Sequence, residues 1–88
     1  MQIKIIHYTS PSCSVCSIQD KVLGDLQKSH DISYQSRSIT TDFADALKFG
    51  VKSAPTLVYL MNDKAVAIRP GLQTKERIIT EFKRLYAE

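Results

Sequence analysis

The clearest candidates for chemistry in this chain are two cysteines, Cys13 and Cys16, which are also its only cysteines. Where a strand gives way to a helix, residues three positions apart lie on one side of the first turn. Their Cα atoms then approach the roughly 5.5 Å separation that suits a disulfide. So short a loop adds little stability when it is closed. The spacing therefore favours a redox role for the pair over a structural one.

The two sulfurs are expected to play different roles. Cys13 lies where a helix begins, so unpaired N–H groups and the positive end of the helix dipole favour its thiolate form. We expect Cys13 to be the nucleophile and Cys16, one turn further in, to attack the mixed disulfide that Cys13 forms. Two alternatives stay open, inert thiols and a metal bridged between two chains. We predict no metal, because a structural site needs four ligands and the remaining soft candidates, His7 and His30, have no recognised zinc spacing.

Hydrophobic periodicity supplies the elements that must position these cysteines. It predicts the order β-α-β-α-β-β-α, with strands near 2–8, 31–39, 54–61 and 64–69 and helices that begin near residues 13, 42 and 74. The first helix is expected to bury the stripe Val15, Ile18, Val22 and Leu26. Asn62-Asp63 is typical of a hairpin turn, Gly50 of a helix stop, and Thr74 of a helix cap. The pattern indicates an α/β protein.

Length and composition restrict the class of protein. The chain has 88 residues, of which 43% are hydrophobic and 24% charged, so we expect one folded domain over residues 1–88. No run approaches the roughly 20 apolar residues of a membrane span, and the amino terminus lacks the features of a signal peptide. The 12 basic and 9 acidic residues are interleaved, which argues against nucleic acid as a partner. We expect a cytoplasmic monomer that binds neither membrane nor nucleic acid.

Two segments resemble known redox proteins. The stretch HYTSPSCSVC, residues 7–16, is similar to the opening of glutaredoxins and of the glutaredoxin-like hydrogen donors of ribonucleotide reductase. KFGVKSAPTL, residues 48–57, and GLQTKE, residues 71–76, resemble thioredoxins. The resemblance implies a thioredoxin-like fold, a mixed four-stranded central sheet flanked by three helices, without the extra amino-terminal strand and helix of full thioredoxins. Small proteins of this kind occur in bacteria and bacteriophages.

The resemblance also implies a substrate groove. In this family the proline before the third strand is cis and faces the cysteines, so Ala54-Pro55 is expected to be cis, with Pro55 part of the catalytic site and its neighbouring backbone paired with a substrate strand. The sequence alone would only place Pro55 at the start of a strand. The expected substrate-binding residues are Tyr8, Ser12, Ser14, Val15, Val51, Ala54 and Gly71. For Tyr8, a packing role is the alternative.

His7 has two interpretations. It occupies the position at which thioredoxins keep a buried acidic group that relays the proton of the second cysteine. A histidine could perform this proton transfer, because its ordinary pKa lies close to neutrality. The alternative is a partly buried core histidine that is hydrogen-bonded to backbone.

These features predict a protein-disulfide reductase that needs no prosthetic group. Glutaredoxins bind glutathione through a lysine, replaced here by Ser10, and a Gly-Gly-x-Asp segment, replaced here by residues 70–74. We therefore expect electrons from a thioredoxin-reductase-type flavoenzyme, with glutathione as the alternative source, and ribonucleotide reductase among the candidate recipients. Ser12 replaces the usual thioredoxin tryptophan, and Ser14-Val15 the usual Gly-Pro. A non-enzymatic binding module that keeps the fold is a further alternative.

Overall fold

The computed structural model describes residues 3–30 and 32–87. Its strands are β1 (Ile3–Thr9), β2 (Ser33–Ser38), β3 (Thr56–Met61) and β4 (Lys64–Pro70), and its helices are α1 (Cys16–His30), α2 (Phe43–Lys48) and α3 (Lys75–Ala87). The predicted order β-α-β-α-β-β-α is thus confirmed. No helix within the described residues is long and apolar enough to cross a membrane.

The four strands form one mixed sheet in the order β2-β1-β3-β4. β1 is central, and it is parallel to β2 and antiparallel to β3. Its run of isoleucines is typical of a strand that is covered on both faces. β3 and β4 form an antiparallel hairpin. Its two turn residues, Asn62 and Asp63, have φ of 54° and 64°, the backbone that a tight two-residue hairpin requires.

Apolar side chains cover both faces of the sheet because successive residues of a strand point to opposite sides. On one face, Ile5 of β1 and Tyr59 of β3 belong to a cluster that includes buried residues of α1 and α3. On the other face, Ile6 and Val58 form a smaller cluster with Ala46 of α2. α1 and α3 therefore pack on one face of the sheet, and α2 packs on the other.

The predicted apolar stripe of the first helix is partly wrong. The helix begins at Cys16 rather than Cys13, and the residues it buries are Cys16, Gln19, Leu23 and Leu26. Val15 lies before the helix, and the side chain of Ile18 is 51% exposed. Because each helical residue turns about 100° from the last, a buried face that starts one position later turns Ile18 toward solvent.

The ends of the other helices follow local chemistry. Thr74 caps α3 as predicted, since its Oγ1 accepts a hydrogen bond from the backbone N–H of Arg77 at 3.2 Å. Gly50 follows α2 with φ of +71°, as predicted for a helix stop. The carboxylate of Asp42 does not cap α2; it accepts a hydrogen bond from the backbone N–H of Ser38 at 3.3 Å instead.

Candidate active site around Cys13 and Cys16

The two cysteines are joined by a disulfide, and their Cα atoms are 5.5 Å apart, as the spacing predicts. Cys13 lies in a turn before α1, where its backbone N–H donates to the carbonyl of Ser10 at 3.1 Å. Its side chain is partly exposed, whereas Cys16, the first residue of α1, is buried with 6% exposure. A partner can therefore reach the sulfur of Cys13 more readily than that of Cys16.

Strand register brings the cysteine loop to the same end of the sheet as Pro55. Tyr8, near the end of β1, pairs with Thr56 at the start of β3, and Thr56 pairs in turn with Pro70 at the end of β4. The loops 10–15, 51–55 and 71–74 consequently extend from one end of the sheet. The topology thus places the dithiol, Pro55 and Gly71 at one end of the sheet, although they are far apart in sequence.

The Pro55 loop is held by its own hydrogen bonds. The Ala54–Pro55 peptide bond is cis, which is the isomer that the resemblance implies. The carbonyl of Pro55 accepts a hydrogen bond from the N–H of Gly71 at 2.8 Å, and Thr56 Oγ1 donates to the carbonyl of Ser53 at 2.7 Å. Gly71 has φ of +85°, a conformation that glycine adopts without strain.

The expected rim residues fall into two groups. Five of them present side chain or backbone at the surface, either exposed (Ser12, Ser14 and Gly71) or partly exposed (Val15 and Ala54). The other two, Tyr8 and Val51, are buried in the cluster on the α2 face of the sheet.

The rim position expected for Tyr8 is therefore wrong, and the packing alternative is the one observed. Tyr8 is 0% exposed because its ring points from the central strand into the apolar layer under α2. Burial raises the pKa of its hydroxyl, an effect that the nearby Arg37 guanidinium partly opposes. The side chain stays neutral in the core and has no surface with which to contact a substrate.

His7 is fully buried, and its partner is a side chain rather than the backbone expected for a core histidine. Its Nδ1 lies 2.7 Å from Oδ1 of Asp20 on α1. The same oxygen accepts a hydrogen bond from Ser36 Oγ at 2.9 Å. Because the Asp20 side chain is 42% exposed, the carboxylate connects the buried imidazole to solvent.

The other ring nitrogen of His7 has no hydrogen-bond partner among the described residues, although it is buried. A carboxylate only accepts, so Nδ1 is the donor to Asp20, and Nε2 of the neutral ring is left with a free lone pair. Asp20 follows Cys16 by four positions, so both lie on one side of α1. The buried imidazole is therefore bonded to a carboxylate that lies one helical turn after the second cysteine.

Two residues at this site, Asp20 and Gln19, were not predicted. Gln19 is buried one turn after Cys16 and forms hydrogen bonds with the backbone of Gln73. A signal exists for Gln19 once the helix start is known, because a polar residue then interrupts the buried series at positions 16, 19, 23 and 26. No comparable signal exists for Asp20, which resembles any exposed acidic residue of a helix.

Metal-ligating residues do not gather at the site. Among residues 3–30 and 32–87, no group of three or more His, Cys, Asp or Glu side chains is arranged to hold a metal ion. His30 is exposed at the end of α1, with Nδ1 2.7 Å from Ser29 Oγ. An apolar cavity of about 480 Å³ adjoins His30 and Ile3, at the end of β1 opposite the cysteines.

A family model described as the thioredoxin domain matches residues 1–82 of the chain. A probable thioredoxin from the archaeon Archaeoglobus fulgidus is 36% identical over 59 residues, which cover 65% of this chain and 63% of the archaeal protein. The match therefore spans less than two thirds of that relative. The chain belongs to the thioredoxin domain family.

Solved structures agree on the fold. A single-residue mutant of thioredoxin from Halobacterium salinarum superposes with a TM-score of 0.85 and 22% identity, over 99% of this chain and 76% of the other. Thioredoxin-2 of the malaria parasite, a component of its protein secretion machinery, gives a TM-score of 0.84 and 24% identity, over 94% and 82% of the two chains. Likeness at this identity establishes a thioredoxin fold.

Proposed function

We propose that this protein reduces disulfide bonds in other proteins through the Cys13/Cys16 pair. The observation that carries the proposal is the unequal exposure of two disulfide-bonded cysteines at the end of the sheet where three loops meet. An accessible first sulfur and a shielded second one suit a nucleophile and its resolving partner. Membership of the thioredoxin domain family supports the same assignment.

The reaction begins with the reduced form of the protein. The Cys13 thiolate attacks one sulfur of the substrate disulfide, the substrate S–S bond breaks, and the departing thiolate takes up a proton. Cys16 then loses its proton and attacks Cys13 Sγ, which releases the second substrate thiol and forms the Cys13–Cys16 disulfide. The substrate gains two electrons from the protein. It also takes up two protons from solvent, in exchange for the one released when Cys13 ionised and the one released by Cys16.

His7 is proposed as the acceptor of the Cys16 proton. Its Nε2 is buried and without a hydrogen-bond partner among the described residues, and its Nδ1 faces the Asp20 carboxylate. A proton taken up at Nε2 would be stabilised by Asp20 and could leave through the exposed carboxylate. The role suits the second step, in which Cys16 must become a thiolate.

The substrate is proposed to bind as an extended segment at the end of the sheet where Pro55 and its neighbours lie. We propose that the backbone around Ala54 pairs with this segment, that Gly71 lies beside it, and that Ser12, Ser14 and Val15, which are at least partly exposed, form the side of the groove nearest Cys13. Backbone pairing of this kind gives affinity with little demand on substrate side chains. Protein disulfides in exposed, extended segments are therefore the expected substrate class.

Electrons are proposed to come from a thioredoxin-reductase-type flavoenzyme, in a reducing compartment such as the cytoplasm. The support is that the chain has Ser10 and residues 70–74 where glutaredoxins place their glutathione contacts. Ribonucleotide reductase stays a candidate recipient on the resemblance of residues 7–16 to its small hydrogen donors.

A three-arm assay tests both the reaction and the electron source. Reduction of insulin is followed with dithiothreitol, with NADPH and a panel of thioredoxin reductases, and with NADPH, glutathione and glutathione reductase. We expect activity in the first two arms and little in the third. The double variant Cys13→Ser/Cys16→Ser is the control and should be inactive in every arm.

Each contrary outcome has a distinct meaning. Activity with glutathione and none with any thioredoxin reductase would assign the protein to the glutaredoxin type. Inactivity in all three arms would contradict the reductase proposal and favour a binding module that retains the fold.

A further inference from the structure

A buried glutamine joins the dithiol helix to the loop before α3. Gln19 of α1 is 0% exposed. Its Nε2 donates to the carbonyl of Gln73 at 3.1 Å, and its Oε1 accepts from the N–H of Gln73 at 2.7 Å. Both polar atoms of one side-chain amide thus bind the backbone of one residue that lies 54 positions away in the chain.

These bonds continue to the Pro55 loop. Gln19 lies three positions after Cys16, on the same side of α1, and Gln73 lies two positions after Gly71. The N–H of Gly71 donates to the carbonyl of Pro55 at 2.8 Å. One hydrogen-bonded series therefore runs from the helical turn that carries Cys16, through the loop 71–74, to the residue expected to face the dithiol.

The loop has few other contacts that would fix it relative to α1. Within the described residues, none of its other hydrogen bonds reaches α1. Thr74 bonds to the first turn of α3, Gly71 bonds to Pro55, and Gln73 Nε2 makes long local bonds to the carbonyls of Pro70 and Gly71, each at 3.4 Å. Leu72, at the tip of the loop, is exposed. A buried amide is unfavourable unless its polar atoms are hydrogen-bonded. Conformations in which the loop moves away from Gln19 are therefore destabilised, because they leave the Gln19 amide without partners.

We infer that Gln19 is a positioning residue that selects protein disulfides over small ones. It holds the loop 71–74 at a fixed place beside the dithiol, so that an extended protein segment meets a preformed groove. A small disulfide needs only the sulfur of Cys13 and should be insensitive to the loop. The inference rests on the proposed reductase function and specifies how that same site recognises its substrate class.

Gln19→Met tests the inference, because methionine has similar length and no hydrogen-bonding amide. The KM for insulin should rise about tenfold, as the loss of two hydrogen bonds of roughly 0.7 kcal/mol each implies. The kcat for insulin and the rate with 5,5′-dithiobis(2-nitrobenzoate) should change less than about twofold, since the dithiol is intact. Leu26→Ala, a buried change further along α1, is the control for lost stability.

Kinetic outcomes that contradict the inference are clear. An unchanged KM for insulin in Gln19→Met would overturn it. Equal losses of activity with insulin and with the small disulfide in Gln19→Met would also overturn it. If Leu26→Ala showed the same equal losses, the role of Gln19 would be purely structural.

Amide hydrogen exchange provides a second test that needs neither activity nor a folded variant. In the unmodified protein, the Gln73 amide should exchange at least about tenfold more slowly than that of Leu72, because Gln19 holds only the former. Equal exchange rates would show that Gln19 does not hold the loop in solution. If the protein reduces no disulfide at all, the proposed function fails, and this exchange result still reports on the contact between Gln19 and Gln73.

Discussion

Cys13 and Cys16 have the same side chain and differ in their surroundings. Cys13 is partly exposed in a turn, whereas Cys16 opens α1 and is buried. Thiol–disulfide exchange depends on access to the attacked sulfur and on the thiolate fraction of the attacker. The order of events that we propose for this pair therefore rests on local burial and on the start of one helix.

His7 gives the first prediction at this scale, since a relay should affect only the second chemical step. In His7→Leu, resolution of a Cys13 mixed disulfide by Cys16 should slow by about a hundredfold, the usual contribution of a general base. Alkylation of Cys13 by iodoacetamide should stay within about twofold of the unmodified rate. Stopped-flow measurement of both steps checks this.

Asp20→Asn is the matched variant for His7→Leu. It keeps a hydrogen-bonding oxygen beside His7 Nδ1 but removes the charge that stabilises a protonated ring. We expect an intermediate loss in the second step. Normal resolution in His7→Leu, or equal slowing of both steps, would show that His7 has a packing role only.

Individual residues also show how far sequence reasoning reaches. The role of the cysteines could be predicted because their chemistry depends on a spacing of three positions, which is local. Tyr8 is ambiguous in the sequence because both an active-site rim and the core accept a tyrosine. The partners of His7 and Gln19 depend on which faces of β1 and α1 meet, and no local pattern encodes that.

At the scale of elements, α1 shows that the type of an element is easier to predict than which of its faces is buried. The apolar spacing correctly predicts a helix after the cysteines, but it places Val15 and Ile18 in the buried stripe. The helix begins after a turn, so Gln19 and Leu23 take the buried positions instead. The polar side chain of Gln19 is accommodated in a buried position because it forms hydrogen bonds with the backbone of Gln73 in the loop 71–74.

The phase of α1 makes a stability prediction. Leu23→Ala should lower the free energy of unfolding by about 2–5 kcal/mol, because it removes a fully buried side chain and leaves a cavity. Ile18→Ala should change it by less than about 1 kcal/mol, since half of that side chain is already in solvent. Urea denaturation of both variants measures the difference. Similar losses would contradict the phase of the helix described here.

At the scale of the whole molecule, the sheet topology is what creates a site. The end of β1, the start of β3 and the end of β4 meet because β3 pairs with both of its neighbours in antiparallel register. The order of elements could be predicted from periodicity, and the resemblance implied a mixed four-stranded sheet flanked by three helices, whereas the order of the strands within the sheet is seen only in the structure. The hydrogen-bonded series from α1 to the loop 71–74 required coordinates, because it joins residues 54 positions apart.

Ion pairs hold the side of α3 that carries Glu81. Glu81 is buried on α3 and accepts hydrogen bonds from Arg69 of β4 at 2.6 Å and from Arg84 at 2.7 Å. Burial alone would raise the pKa of this carboxyl, but the two arginines outweigh burial and lower it. The Arg69–Glu81 ion pair thereby links α3 to the edge strand of the sheet.

The central claim is that Cys13 attacks a protein disulfide and Cys16 resolves the product, and a trapping measurement tests it most directly. Reduced Cys16→Ser and Cys13→Ser are each incubated with insulin, and adducts are quantified by intact mass and peptide mapping. Cys16→Ser should accumulate an insulin adduct on Cys13, at least about tenfold more than Cys13→Ser forms on its buried Cys16. No adduct on Cys13, or equal adducts on the two variants, would contradict the account.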